Sequence, residues 1–142
     1  ATIDLASKNK VQQELNHKVA HYAKHMTELL GSELHVVYAL PISKVLKELD
    51  LIESRDEERK FIKEHRTQVD TLAQELGIPA EHIHIRAGDP NRVISGISKK
   101  IKAQLIVIGT VARRGIKGAL IGNTAEQVLQ GSAIDVLALR PD

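Results

Sequence analysis

The sequence predicts a doubly wound α/β fold, in which helices cover both faces of a five-stranded parallel sheet and give three layers, α/β/α. Three observations support this prediction. Five short apolar segments alternate with longer segments whose apolar residues repeat at helical spacing. Helix-capping residues and glycines stand at the boundaries between them. With 142 residues, of which 42% are hydrophobic, the chain is expected to form a single domain over residues 1–142.

The first part of the chain predicts a strand, a helix and a second strand. Residues 1–4 predict a short strand that ends in the carboxylate of Asp4, and Ser7 is the predicted cap of a helix that continues to about Leu30. Gly31 follows, as expected where a left-handed residue ends a helix. An apolar run over residues 34–40 predicts a strand that is buried on both faces. The predicted buried stripe of the helix consists of Val11, Leu15, Val19, Tyr22, Met26 and Leu29.

The middle of the chain predicts helical structure over residues 43–76 with an interruption at Ser54. Ser54 and Glu57 have the spacing of a capping box, so a new helix is expected to begin there. Residues 83–87 predict a third strand. Asp89-Pro90 supplies the cap and the first residue of the helix that follows.

The last part of the chain predicts a buried strand over residues 105–108, a glycine-containing loop, a helix over residues 123–130 and a last strand. In parallel sheets of this class, ligands bind beyond the carboxyl ends of the strands, where the strand order reverses. We expect Asp4, the exit of the second strand at residues 38–40 and the loop that begins at Gly109 to meet at this edge.

The loop after the fourth strand holds the pattern that is most informative about function. Gly109 is followed by two residues, Ala112, nine residues, and then Gly122 and Asn123. A glycine at a strand end lets the backbone approach a ligand, and the free N–H groups at the start of the next helix attract an anion. The loop therefore predicts a phosphate-binding segment. The cations that could clamp phosphate oxygens are Arg113, Arg114 and Lys117.

This spacing resembles the universal stress protein family, whose nucleotide-binding members carry Gly, two residues, Gly, nine residues, Gly and then Ser or Thr after the fourth strand. The segments Gly-Thr-Val-Ala-Arg-Arg-Gly-Ile and Gly-Asn-Thr-Ala-Glu-Gln-Val are closest to the carboxyl-terminal half of the tandem-domain E type of this family. The resemblance covers nearly the whole chain and implies a Rossmann-like, adenine nucleotide alpha-hydrolase-like fold. Because the chain opens inside a predicted strand, we expect it to be one half of a tandem protein or a truncated piece.

The resemblance also implies ATP as a ligand and a set of residues that would bind it. Ala112 adds a methyl group where the family pattern has glycine, and Asn123 replaces Ser or Thr, so both changes are expected to weaken nucleotide binding. The alternative use of Asn123 is to cap its own helix together with Glu126. The ligand-binding residues that the resemblance implies are Asp4, Ala39, Ile108, Gly109, Ala112, Arg113, Gly122, Asn123 and Thr124.

These observations lead us to expect a stress-response role through binding of a ligand or partner, without catalysis. The sequence contains no nucleophile elbow, no Walker loop and no dinucleotide fingerprint. The alternative is an ATP-binding switch or slow ATPase that uses the loop from Gly109 to Thr124. The last strand, Val136 to Leu139, is an apolar edge through which we expect a homodimer or an intrachain tandem pair.

Composition excludes several other classes of protein. Twenty Lys and Arg against 18 Asp and Glu give a charge of +2, too little for a nucleic-acid binder that works by counterion release. Two Tyr, one Phe and no Trp leave no base-stacking platform. The absence of cysteine excludes disulfides and thiolate nucleophiles. No apolar run approaches the roughly 20 residues that cross a bilayer. We therefore expect a cytoplasmic protein with neither a nucleic-acid nor a membrane partner.

Two groups of histidines are candidates for metal binding. His17, His21 and His25 repeat every four residues and share one helix face, which we interpret as a solvated flank. His82 and His84 point to the same side of a short strand, but two ligands make an incomplete metal site. We expect no bound metal on these grounds.

Overall fold

The computed structural model describes residues 1–5, 9–40, 54–111 and 122–142. Four predicted features lie outside the described residues. They are the helix cap Ser7, the helical segment over residues 43–53, the side chain of Glu57, and loop residues 112–121, which include Ala112 and Arg113.

Strands and helices alternate along the chain as the sequence predicts. The strands are β1 (Thr2–Ile3), β2 (Val36–Leu40), β3 (Ile83–Ala87), β4 (Leu105–Gly109) and β5 (Asp135–Leu139). The helices are α1 (Lys10–Leu30), α2 (Ser54–Leu76), α3 (Pro90–Lys100) and α4 (Asn123–Gly131), with a short 3-10 helix at Ala80–His82 before β3.

The five strands form one parallel sheet in the order β3-β2-β1-β4-β5, which confirms the predicted doubly wound α/β fold. Strands β2 and β3 follow one another on one side of β1, and strands β4 and β5 follow one another on its other side. The strand order therefore reverses between β1 and β4. In this class of fold, the carboxyl ends of those two strands diverge and leave a crevice.

Helix α1 begins and ends at local signals in the sequence. The side chain of Asn9 accepts a hydrogen bond from the backbone N–H of Val11 at 3.0 Å, so Asn9 caps the helix. Gly31 ends it in the left-handed conformation with φ of 61°, as predicted.

The face that α1 buries differs from the predicted stripe. Val11, Tyr22 and Leu29 are 40, 50 and 67% exposed. Leu15 and Val19 of the predicted stripe are buried, and the other buried positions are Asn16, Ala20 and Ala23. Small alanines let the helix axis come close to β1 and β4, so the closest face of the helix is not the one with the largest apolar side chains.

The core has one cluster on each face of the sheet. Tyr38, Leu15 and Val69 belong to the cluster beneath α1 and α2, and Val37, Ile106 and Val128 belong to the cluster beneath α3 and α4. Consecutive residues of β2 thus face opposite clusters, as expected for a strand covered on both sides. Among the described residues, no helix combines the length and apolar character needed to cross a membrane.

Candidate functional site

A cavity of about 390 Å³ lies at the carboxyl ends of β1 and β4, where the strand order reverses. Seven of the nine predicted ligand-binding residues line it: Asp4, Ala39, Ile108, Gly109, Gly122, Asn123 and Thr124. The other two, Ala112 and Arg113, lie outside the described residues. The predicted meeting of strand ends and loop ends is therefore present in the fold.

The backbone of Asp4 is held in place by a side chain of α1. The Asn16 side-chain amide donates to the Asp4 carbonyl oxygen at 2.6 Å, and Asn16 Oδ1 accepts from the Asp4 backbone N–H at 3.0 Å. Gln12 Nε2 lies 3.4 Å from the same oxygen of Asn16. This pair of hydrogen bonds fixes the direction in which the chain leaves β1, while the Asp4 side chain remains exposed at the cavity.

Asn16 and Gln12 are site residues that the sequence analysis missed. Asn16 is buried in an otherwise apolar face of α1, and both side chains line the cavity. In the sequence, both residues could have been found as polar side chains on the same helix face as the apolar Leu15 and Val19. A buried amide in such a stripe needs hydrogen-bond partners, and the end of an adjacent strand provides them.

The amino terminus of α4 forms another wall of the cavity. Gly122, and not Asn123, is the N-cap residue, and it supplies no side-chain hydrogen bond to the helix. The alternative in which Asn123 caps the helix with Glu126 is therefore wrong, because Asn123 is already the first helical residue. Among the described residues, no side chain caps the first N–H groups of α4, and these groups and the positive end of the helix dipole attract an anion.

Gly109 is required by packing as well as by its place at the cavity. A Cβ at this position would lie 2.8 Å from both Cγ and Cδ2 of Leu15, closer than carbon atoms approach. The glycine thus lets α1 sit directly on β4. The next residue, Thr110, continues the sheet, since its backbone N–H donates to the carbonyl of Leu139 at 2.7 Å.

Gly122 differs from Gly109 in this respect. Its φ is −59°, a value open to any residue. A Cβ there would make ordinary contacts, 3.5 Å from the carbonyl oxygen and 3.8 Å from the nitrogen of Val111. The local backbone therefore does not demand a glycine at the start of α4.

Tyr38 lies on the opposite face of β2 from Val37 and Ala39, away from the cavity lining. Burial of its ring, together with the nearby Asp4 carboxylate, raises the pKa of the phenol well above its usual range. Among the described residues, its hydroxyl has no hydrogen-bond partner. The ring stacks with His65 at 5.8 Å between centroids.

The histidines form the two expected groups, and the second group has a further member. His17, His21 and His25 are exposed on α1, as predicted for a solvated flank. His82 and His84, however, lie beside His35, which the sequence analysis did not consider. His35 precedes β2, whose Val36 pairs with Ile83 of β3, so the strand register brings these rings together at the amino edge of the sheet.

The fold and the cavity define a doubly wound α/β domain with a ligand-sized crevice at its switch point. The sequence model of the universal stress protein family matches residues 12–140, and the chain belongs to that family. It is 31% identical over 142 residues to the universal stress protein E homolog of Haemophilus influenzae, covering 98% of this chain and 46% of that protein. The chain thus spans about half the length of this curated relative. Membership of the family supports a role in the response to stress.

Solved structures agree with this assignment. A crystal structure of a functionally unknown protein from Pseudomonas aeruginosa PAO1 is 32% identical, with a TM-score of 0.77 over 99% of this chain and 46% of that chain. A universal stress protein crystallised in complex with cAMP is 18% identical, with a TM-score of 0.58 over 97% of this chain and 93% of that chain. At 18% identity the likeness shows the fold alone.

Proposed function

We propose that this domain serves the stress response by binding a nucleoside phosphate in the cavity between β1 and β4, without turning it over. The observation that carries the proposal is the meeting of two unlike groups at one cavity, the Asp4 carboxylate and the first turn of α4. The cavity volume of about 390 Å³ falls within the range typical of small-molecule sites.

The charges at the cavity support one orientation of such a ligand. The Asp4 carboxylate is an acceptor suited to ribose hydroxyls or an adenine amino group, and it would repel a phosphate. The amino terminus of α4, at Asn123 and Thr124, attracts a phosphate. The nucleoside would therefore lie against β1 and β2, and the phosphate against α4, with Ala39 and Ile108 as apolar walls. Arg113, outside the described residues, remains a predicted phosphate partner.

Titration calorimetry with ATP, AMP, cAMP and a UDP-sugar tests the proposal. Cyclic AMP belongs in this set because a protein of the same fold was crystallised with it. We expect at least one of these compounds to bind with a submillimolar Kd, and to raise the free energy of unfolding by RT ln(1 + [L]/Kd). Flat titrations with all four compounds at millimolar concentration would overturn the proposal.

Two variants locate the site. Asp4→Asn removes the carboxylate charge from the cavity and is expected to weaken nucleoside binding about tenfold, the cost of one charge-assisted hydrogen bond. Asp135→Asn is the matched control, because Asp135 is an exposed carboxylate at the amino end of β5, remote from the cavity lining. Equal affinities of the two variants would place the ligand elsewhere.

The same samples distinguish binding from turnover. No catalytic constellation is on the cavity wall among the described residues, so ATP is expected to remain intact over hours of incubation. Sustained phosphate release that disappears in Asp4→Asn would replace the binding proposal by the slow-ATPase alternative.

We further propose that β5 pairs the domain with a second copy or a tandem domain. The strand is at the edge of the sheet, and residues 136–139 are apolar. Ala138 is exposed on this strand, so Ala138→Lys adds a charge at the edge with little effect on the core. Light scattering is expected to report a dimer for the parent chain and a monomer for Ala138→Lys. A monomeric parent chain would contradict the homodimer.

A further inference from the structure

We propose that Glu33, His35 and His82 bind one divalent transition-metal ion of the zinc class, and that His84 positions His35 for it. This cluster lies at the amino edge of β2 and β3, the edge opposite the nucleotide cavity. The inference is independent of the proposed function, because the cavity lining contains none of these four residues.

The ligand atoms converge without being bonded to one another. Glu33 Oε2 lies 3.9 Å from His35 Nε2 and 4.0 Å from His82 Nε2. One ligand atom from each of the three residues falls within 4.8 Å of the other two. Tetrahedral zinc with bonds of about 2.0–2.1 Å places its ligand atoms roughly 3.4 Å apart. Closing this set around an ion therefore needs each group to move by up to about 0.7 Å, half the difference in spacing. It also needs the stacked rings of His35 and His82 to tilt so that both nitrogen lone pairs point at the ion.

The three side chains differ in freedom in a way that suits metal binding. His35 and His82 are 18 and 19% exposed, and their rings stack with centroids 4.1 Å apart, so their positions are set by packing. The Glu33 side chain is 77% exposed and can move to complete the set. Two imidazoles and a carboxylate are the ligand set of open zinc sites, in which water takes a fourth position. Glu33 and His35 also line part of a second cavity of about 200 Å³.

His84 supplies the partner that a metal-binding imidazole usually has. His35 Nδ1 lies 3.0 Å from His84 Nε2, and the two rings are nearly coplanar in orientation, 17° apart. If His35 binds the ion through Nε2, its proton resides on Nδ1 and is donated to His84 Nε2. In that tautomer, this contact would hold the direction of the His35 ring.

Burial lowers the pKa of His35, and the neighbouring His82 lowers it further, against the opposing effect of Glu33. Burial also lowers the pKa of His84, with added effects from His35, Arg86 and Lys100.

Calorimetry of the full, untagged chain with ZnCl₂ after EDTA treatment tests the site. We expect one Zn²⁺ at the cluster and no binding of Mg²⁺, which prefers oxygen ligands. His82→Asn and Glu33→Gln each remove a ligand and are expected to weaken Zn²⁺ binding by about tenfold or more. The control is His21→Asn, which removes the central member of the exposed histidine series on α1 and is expected to change the affinity less than about twofold.

The proposal fails if either His82→Asn or Glu33→Gln binds Zn²⁺ as the parent chain does, or if His21→Asn abolishes binding. Thermal unfolding in EDTA shows whether each variant is folded. If His82→Asn does not fold, the Zn²⁺ affinity of Glu33→Gln alone tests the proposal, because the exposed side chain of Glu33 can be replaced without disturbing the core.

The positioning role of His84 needs its own pair of variants. His84→Gln keeps an acceptor for the His35 Nδ1 proton and is expected to retain the parent affinity within about threefold, whereas His84→Leu is expected to lose about 10- to 100-fold. If both variants lost Zn²⁺ affinity equally, the hydrogen bond from His35 to residue 84 would not be what orients His35. Their thermal stabilities in EDTA distinguish this effect from loss of packing.

Discussion

Replacing Gly109 with alanine tests the close contact between β4 and α1. The added methyl carbon would lie 2.8 Å from Cγ and Cδ2 of Leu15 and 3.3 Å from Cγ2 of Val19. Carbon atoms pack at about 3.5–4.0 Å, so the methyl is too close to both side chains. Both side chains are 1% exposed, so moving either one displaces the residues packed around it. We expect urea denaturation to show a loss of about 1–3 kcal/mol in the free energy of unfolding, the typical cost of overpacking.

Gly96→Ala is the matched control for this substitution. Gly96 lies within α3, and a Cβ there would meet nothing within 4 Å. Alanine at an open helical position stabilises by about 0.5–1 kcal/mol, so the two variants should move in opposite directions. Leu15→Ala should cost less in the Gly109→Ala background than in the parent, because it removes the obstructing side chain. A Gly109→Ala protein as stable as the parent would refute the packing argument.

The remaining predictions concern the buried polar groups and the loop. Tyr38→Phe deletes a hydroxyl that has no partner among the described residues, so stability at pH 7 should be unchanged or higher by about 1 kcal/mol. The pKa of Tyr38 is higher in the folded state than in the unfolded state, so the neutral phenol contributes to the free energy of unfolding. This contribution is fully present below the unfolded-state pKa of about 10 and is lost as the pH rises above that value. Tyr38→Phe should therefore flatten the alkaline fall in melting temperature, and an unchanged profile would contradict this. Asn16→Leu breaks both hydrogen bonds to the Asp4 backbone and should cost about 1–3 kcal/mol by urea denaturation; a loss below 0.5 kcal/mol, roughly the value for a surface change, would show that they matter little. On the family pattern, Ala112→Gly should tighten ATP binding by about 5- to 30-fold in calorimetry, and unchanged affinity would remove the methyl group as the cause of weak binding.

Elements that depend on local chemistry could be predicted from the sequence. The boundary between β3 and α3 is an example, because Asp89 Oδ1 accepts from the backbone N–H of Arg92 at 3.1 Å and Pro90 is the first helical residue. The predicted fourth strand, residues 105–108, also matches β4 to within one residue. In both places the signal lies within a few residues of the feature that it determines.

Other features depend on what is adjacent in space. The predicted buried face of α1 included Tyr22 and Leu29, which the structure leaves exposed. The predicted Leu15 and Val19 are buried against Gly109, and the alanines at positions 20 and 23 complete the buried face. The predicted start of α4 at Asn123 is confirmed. The alternative in which Asn123 caps this helix is wrong, because Gly122 occupies the cap position. The cluster around His35 requires knowledge of which strand lies beside β2 and in what register.

Strand β2 links the two proposed sites through the geometry of the sheet. Ala39, near its carboxyl end, lines the nucleotide cavity, while His35 precedes its amino end and belongs to the metal cluster. Four residues of extended chain separate these positions by about 13 Å. Because the cavity lining contains none of the three ligands, a nucleotide titration that fails leaves the metal proposal intact, and loss of Zn²⁺ binding in Glu33→Gln leaves the nucleotide proposal intact.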